Sequence, residues 1–338
     1  MRNSDHGFSL IEALVATVLS LMVVGAALGG FTTAMGLADT SRIMSETNHN
    51  LQAAMSLMVR DFVQTGQGVP RGGIPIPSGA GASPVLRPGP PGSGMTFPSP
   101  WTTVPAIVPG GGIGPTVLSI PTDTVSLFYV DPTIALNQFP LTAIAADASS
   151  MTVHSATNIN GADGLKVGDI ILFTNALGNA IQMITQVSGG QVVTFAPTDP
   201  MGLNQPSATQ GGLMALQSSP GVFPPTTAQR VLMISYYVDA VTDPALPRLV
   251  RQVGNGPRLA IALGVENLQL SYDLVDGVTN PINVEMPPPG NSANQIRKAN
   301  LFLTARSLDI DPRLHNYVRN SMATDVGLRS LSFVDRYK

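Results

Sequence analysis

The pattern of apolar and polar positions takes three forms along the chain. From Phe8 to Phe31 it is apolar all round, with Glu12 the only charge. That stretch makes about 36 Å of helix, enough to cross a hydrocarbon core of roughly 30 Å. Beyond it the pattern becomes one-sided. Leu51, Met55, Met58 and Phe62 recur at spacings of four, three and four, while Asp39, Arg42, Glu46, Gln52 and Arg60 fall largely off that stripe. Gly66, Gly68 and Pro70 then stop the helix. The pattern predicts one helix from Phe8 to about Gln64, its first half suited to lipid and its second half to a protein core.

The third regime is β. Residues 66–115 hold 13 Gly and 12 Pro, with Arg71 and Arg87 the only charges, and read as a long loop with Trp101 placed to pin it. Val117–Ile120 and Thr124–Val130 are β-branched and aromatic runs separated by Pro121. Between about Leu141 and Leu216, short strand candidates alternate with Asn-Gly, Leu-Gly-Asn and Gly-Gly turns, which predicts a self-contained β subdomain inserted into a main sheet. The main sheet resumes at Arg230–Asp239, and Pro247–Val253 is placed to pair with it across Asp243-Pro244. Leu268, Leu270, Tyr272 and Leu274 alternate with Gln269, Ser271 and Asp273, the clearest period of two in the chain.

Composition narrows the function more than it widens it. Only 12% of the 338 residues are charged, Gly and Pro number 34 and 29, and the net charge is −3 with no basic run. A nucleic-acid groove therefore has no support. With no cysteine, disulfides, thiolate metal sites and cysteine nucleophiles are all excluded. His6, His49, His154 and His315 are scattered and no two stand at metal-ligand spacing. Asp309 with Asp311, and Asp163 with Asp169, are carboxylate pairs of the calcium-loop kind, but both fall short of its ligand count and read better as solvated turns. The glycine run 110–114 lacks the strand, helix and lysine of a phosphate loop. No cofactor is expected, and no enzymatic activity.

What demands a reason is Glu12, since a lone carboxylate in a membrane-spanning helix is expensive. The stretch Gly7-Phe8-Ser9-Leu10-Ile11-Glu12-Ala13-Leu14 resembles the class III signal of type IV pilins and type II secretion pseudopilins. The resemblance implies cleavage between Gly7 and Phe8 by a prepilin peptidase, N-methylation of Phe8, and a Glu12 that attracts the terminal amine of a neighbouring subunit. The leader departs from the family in carrying Asp5 beside its single Arg2. Further along, Leu263–Tyr272, Ile296–Ser307 and Leu328–Phe333 are similar, in that order, to segments of PilW-type minor pilins, in which a turn precedes the strand and the position of Val265 packs inward.

Together these readings predict an α+β, pilin-like architecture. Its parts are a leader at 1–7, a transmembrane and assembly helix at 8–31, an amphipathic continuation at 32–65, the Gly/Pro loop at 66–115, and a β-rich head at 116–338 containing the insertion 141–216. The function implied is that of a structural minor pilin of a type IV pilus, held in the inner membrane with its N-terminus cytoplasmic and its head periplasmic, then incorporated near the filament tip. Its expected partners are other minor and major pilins, the peptidase, the inner membrane and the pilus assembly platform. Two alternatives stay open: a type II secretion pseudopilin, and a tip adhesin or ligand-binding module carried by 141–216.

Overall fold

The computed structural model describes residues 9–98, 101–161 and 163–332. Leu10–Gln64 form a single helix of 55 residues, α1, which ends where the glycine and proline signals place its stop. At that end Gly66 adopts φ +83° and donates its N–H to the Phe128 carbonyl at 2.8 Å. A Cβ there would lie 2.6 Å from a Leu331 methyl, so both conformation and space call for glycine.

Contacts divide the chain into two compact units, Met1–His49 with Arg306–Asn320, and Asn50–Ala305 with Ser321–Lys338. In the first unit, the tight turn of the chain that follows Asp311 is closed by that residue's carboxylate. Its Oδ1 accepts the N–H groups of Arg313 at 2.7 Å and Leu314 at 3.0 Å, and His315 beside it takes φ +49°. The Arg306 guanidinium lies 3.8 Å above the centre of the Tyr317 ring.

The second unit is built on a seven-stranded sheet. Its strands are β1 (Ile107–Gly110), β2 (Thr124–Val130), β3 (Ile170–Asn175), β4 (Gly178–Met183), β5 (Thr227–Asp239), β6 (Arg248–Val253) and β7 (Arg258–Leu263). The 13-residue β5 is central and pairs antiparallel with β2, β3 and β6. It is buried on both faces, which is why Val231–Val238 reads as an apolar run broken only by Ser235. Strand periodicity gives each face its own cover. Ile234, Tyr236 and Val238 join the core made with Leu51, Met55, Met58 and Phe62 of α1, whereas Val231 and Met233 join Ile74, Ile76, Val85, Phe97 and Val104 from the Gly/Pro loop. A three-stranded sheet follows, β8 (Val265–Leu274), β9 (Ile296–Asp311) and β10 (Asn316–Gly327). Gly264 takes φ +67° at the preceding turn, and Val265 is fully buried.

Three expectations need revision, and two strands went unread. The Gly/Pro stretch is not strand-free: Ile74–Pro75 pairs with Thr103–Val104, and β1 is an arm of the main sheet. Apolar side chains set between prolines give it a buried face. Val117–Ile120 is not a strand but a minimal hairpin, Thr116–Val117 against Ile120–Pro121, because Leu118 and Ser119 take φ +49° and +67° and reverse the chain. The segment 141–216 is not self-contained, since β3 and β4 belong to the seven-stranded sheet. Only Ala143–Ile144, Ser150–Thr152, Gln186–Ser188 and Val192–Thr194 form a separate sheet. The run Ile170-Ile171-Leu172-Phe173 is buried on both faces, so it pairs with β5, where both faces can be covered. Finally, β7 and β10, with mostly exposed or half-buried side chains, lack the apolar alternation that would announce them.

Candidate functional site

The N-terminal part of α1 presents apolar side chains outward. Leu10, Leu21, Val23 and Phe31 are all more than half exposed, and the most apolar window of the helix, mean hydropathy 2.2, has no buried residue. Its length and composition suffice to cross a membrane. Its few polar groups are satisfied from within. Thr17 donates to the Ala13 carbonyl at 2.6 Å, and Thr32 and Thr33 both donate to Gly29 at 3.0 and 2.9 Å. Such back-bonded hydroxyls are tolerable where no water is available.

Glu12 begins this helix. Its Oε2 accepts the Ser9 backbone N–H at 3.1 Å, while Ser9 Oγ accepts the N–H of Ile11 at 3.4 Å. This is a capping box, with Ser9 as the cap and Glu12 three residues on. The carboxylate therefore rests against the positive end of the helix dipole. Among the described residues no cation meets Glu12. The first turn thus holds a carboxylate that is locally aligned and still able to take a charged partner. Gly7 and Phe8 lie outside the described residues. Ser9-x-x-Glu12 was visible in the sequence as a capping signature, a second reason for a carboxylate at that position which the membrane argument alone passes over.

The other carboxylate candidates serve their own loops. Asp311 is committed to its hairpin, as described; the Thr40 hydroxyl beside it and the N–H groups of Leu314 and Arg313 hold its carboxyl below the usual range. Asp169 Oδ2 accepts the Lys166 N–H at 2.9 Å and lies 3.4 Å from Arg230, and neither structure nor spacing groups it with Asp163 as a ligand set. His154 stacks on Phe139, ring centres 4.5 Å apart. Among the described residues no three His, Cys, Asp or Glu side chains gather as metal ligands would.

Polar residues unremarked in the sequence hold the head together. Asp61, at the edge of the buried stripe of α1, is 1% exposed; its Oδ2 accepts from the Tyr236 hydroxyl at 2.6 Å and from Arg251 Nε at 2.7 Å. Burial pushes the Tyr236 hydroxyl up and the Asp61 charge adds to it; the same causes push Tyr129 up to about 12. Burial opposes the Arg251 charge, yet the Asp61 carboxylate outweighs it and raises the guanidinium above its ordinary value. Elsewhere Arg230 donates to Asp131 at 2.6 and 2.9 Å and to Thr133 at 2.8 Å. Asp123 joins the two sheets by accepting from Leu270 N–H at 2.6 Å and Gly112 N–H at 2.7 Å, and burial raises its carboxyl. The strand interiors of Arg230 and Arg251 were the available signal, since a charge inside an apolar strand needs a buried partner.

Residues 2–28 match the model of the prokaryotic N-terminal methylation motif. Among solved structures, a type IV-like pilin from Thermus thermophilus aligns with 49% of this chain and 87% of its own, at 14% identity and a TM-score of 0.18, a likeness too slight to bear on fold or function. No curated protein matches the chain.

Proposed function

We propose that this type IV pilin-like chain, which carries the prepilin N-methylation motif, is a structural minor pilin. In this reading a prepilin peptidase cuts between Gly7 and Phe8, Phe8 is N-methylated, and the apolar part of α1 holds the protein in the inner membrane, N-terminus cytoplasmic and head periplasmic. The observation that carries the reading is Glu12, a lone carboxylate at the first turn of an exposed, membrane-length helix. Cleavage after Gly7 would create an amine four residues before it. In a bundle of such helices, a neighbour's amine and Glu12 attract strongly at low dielectric, and each is costly unpaired. The pair sets axial register between subunits and the apolar flanks supply adhesion.

The partners implied are other minor and major pilins through α1, together with the assembly platform. The bulk of the head supports a low-copy position near the tip, because a wide head is hard to tile in a dense helical array. The test is Glu12→Ala in the full chain. Membrane insertion should persist, because removing a charge only makes the helix more apolar, while recovery in sheared filaments should fall at least tenfold. Wild-type recovery of Glu12→Ala in filaments would overturn the assembly role.

A further inference from the structure

In the first unit one side of α1 is covered beyond the apolar segment. Ile43 and Thr47 are buried and Gly36 and Thr40 half-buried, at spacings of four, three and four, in a stretch whose other side chains are mostly exposed. The segment 306–320, which holds the end of β9, the start of β10 and the turn between them, meets this side in order. Asn320 Nδ2 donates to Asn48 Oδ1, and the Thr40 hydroxyl lies beside Asp311. The Arg313 stem passes Gly36 so closely that a Cβ there would be 3.0 Å from its Cδ and 3.2 Å from its Cγ. These contacts step back along α1 towards its N-terminus, and the turn 312–315 is the part nearest the apolar segment. Gly36 stands five residues past Phe31, about 7.5 Å along the axis. The headgroup layer outside a hydrocarbon core is about 5–7 Å deep. Where α1 leaves a bilayer, the turn is thus level with the headgroups.

What the turn presents suits that level. Asp311 is wholly buried and its Oδ1 is occupied by the turn's own N–H groups, so its charge faces inward. Leu314 is 63% exposed, between the exposed Arg313 and His315. Asp309, the exposed acid of β9, falls under the charge of Arg42. We infer that the turn 312–315 is a membrane-surface contact, in which Leu314 seats among phospholipid headgroups and the Arg313 guanidinium donates to lipid phosphate, its aliphatic stem lying along Gly36. One leucine and one arginine bind weakly by themselves. Here α1 already holds them at the surface, so the contact is intramolecular in effect and needs little affinity. Because the same turn is packed on α1, it braces the helix where it emerges. The inference rests on reading α1 as membrane-spanning, and it holds for either orientation across the bilayer.

The chain has no cysteine, so single labelled cysteines report depth without further substitution. Met22→Cys, Leu314→Cys and Ser45→Cys, all at exposed positions, place a nitroxide in the span, at the turn, and on α1 about 14 Å beyond Gly36. The full chain, in vesicles of phosphatidylethanolamine and phosphatidylglycerol, is read by electron paramagnetic resonance. Collisions with oxygen report lipid, and collisions with a water-soluble nickel chelate report water. The oxygen-to-nickel ratio should be highest at Met22→Cys and, at Leu314→Cys, at least threefold above that at Ser45→Cys. Adding Arg313→Glu, which sets a carboxylate against the phosphates, should lower the Leu314→Cys ratio at least twofold; an unchanged ratio would overturn the contact of Arg313 with phosphate. Equal ratios at Leu314→Cys and Ser45→Cys, with Met22→Cys lipid-like, would overturn the surface contact and leave the span standing. Few collisions with either reagent at Leu314→Cys would mean cover by protein, such as a second copy of this chain, and would overturn it as well. A water-like Met22→Cys would remove the span and the contact together.

Discussion

The two halves of α1 follow one backbone rule and two solvent rules. Leu10, Leu21 and Phe31 are exposed, while Leu51, Met58 and Phe62 are wholly buried. Hydropathy is no guide to which is which. What separates them is periodicity: apolar residues on every side suit lipid or a bundle of like helices, whereas a stripe at i, i+3, i+4 suits one protein face. The carboxylates show the same division. Asp61 finds its partners, Tyr236 and Arg251, within its own unit, and among the described residues Glu12 has only the Ser9 N–H. A buried acid with internal partners is structural, whereas Glu12 lies exposed on an apolar rod.

The contrast can be broken most forcefully at Phe62. Phe62→Ala should destabilise the head by about 3–5 kcal/mol through lost burial and the cavity left behind, read by denaturant unfolding of the detergent-solubilised chain. Leu21→Ala under the same conditions should leave head unfolding unchanged. Next comes Asp61→Ala, which strands Arg251 and Tyr236 and should cost about 3 kcal/mol; a loss no larger than that of an exposed substitution would show the cluster to be incidental.

A pH titration sharpens the comparison between buried and exposed charge. Burial alone would raise the Asp239 carboxyl, but the N–H and hydroxyl of Thr242 and the guanidinium of Arg248 outweigh it and hold it at about 2. Because the folded value lies below the unfolded one, its stabilisation is complete above about pH 4 and is lost as pH falls towards 2. Asp239→Asn should flatten the fall in stability across that window, and an unchanged slope would count against the pairing. The smallest effect is expected at Arg42, whose pair with Glu46 is more than half exposed. Arg42→Ala should leave the unfolding midpoint of the chain unchanged.

The sequence made legible whatever depends on local periodicity. The end of α1 at Gln64, the stripe from Leu51 to Phe62 and the alternation of β8 all follow from spacing and turn residues, while the inward Val265 was implied by the resemblance. What escaped it was decided by distant partners. β3 and β4 look like part of an autonomous insertion until β5 provides a neighbour that can be covered on both faces. Asp61 is an ordinary helix residue until Tyr236 and Arg251 arrive from strands far along the chain. At the N-terminus the reverse holds. Gly7, Phe8 and Glu12 lie within one short stretch, so their combination can be read as a motif, and the Ser9 to Glu12 cap adds geometry to only one of them.

The central claim is that processing at Gly7–Phe8 creates the amine that Glu12 is placed to meet. Intact-mass measurement of the protein purified from membranes tests it most directly. The account predicts a chain lacking Met1–Gly7 and beginning at Phe8 with one added methyl group. A retained leader, or a mature N-terminus at any other residue, would contradict it.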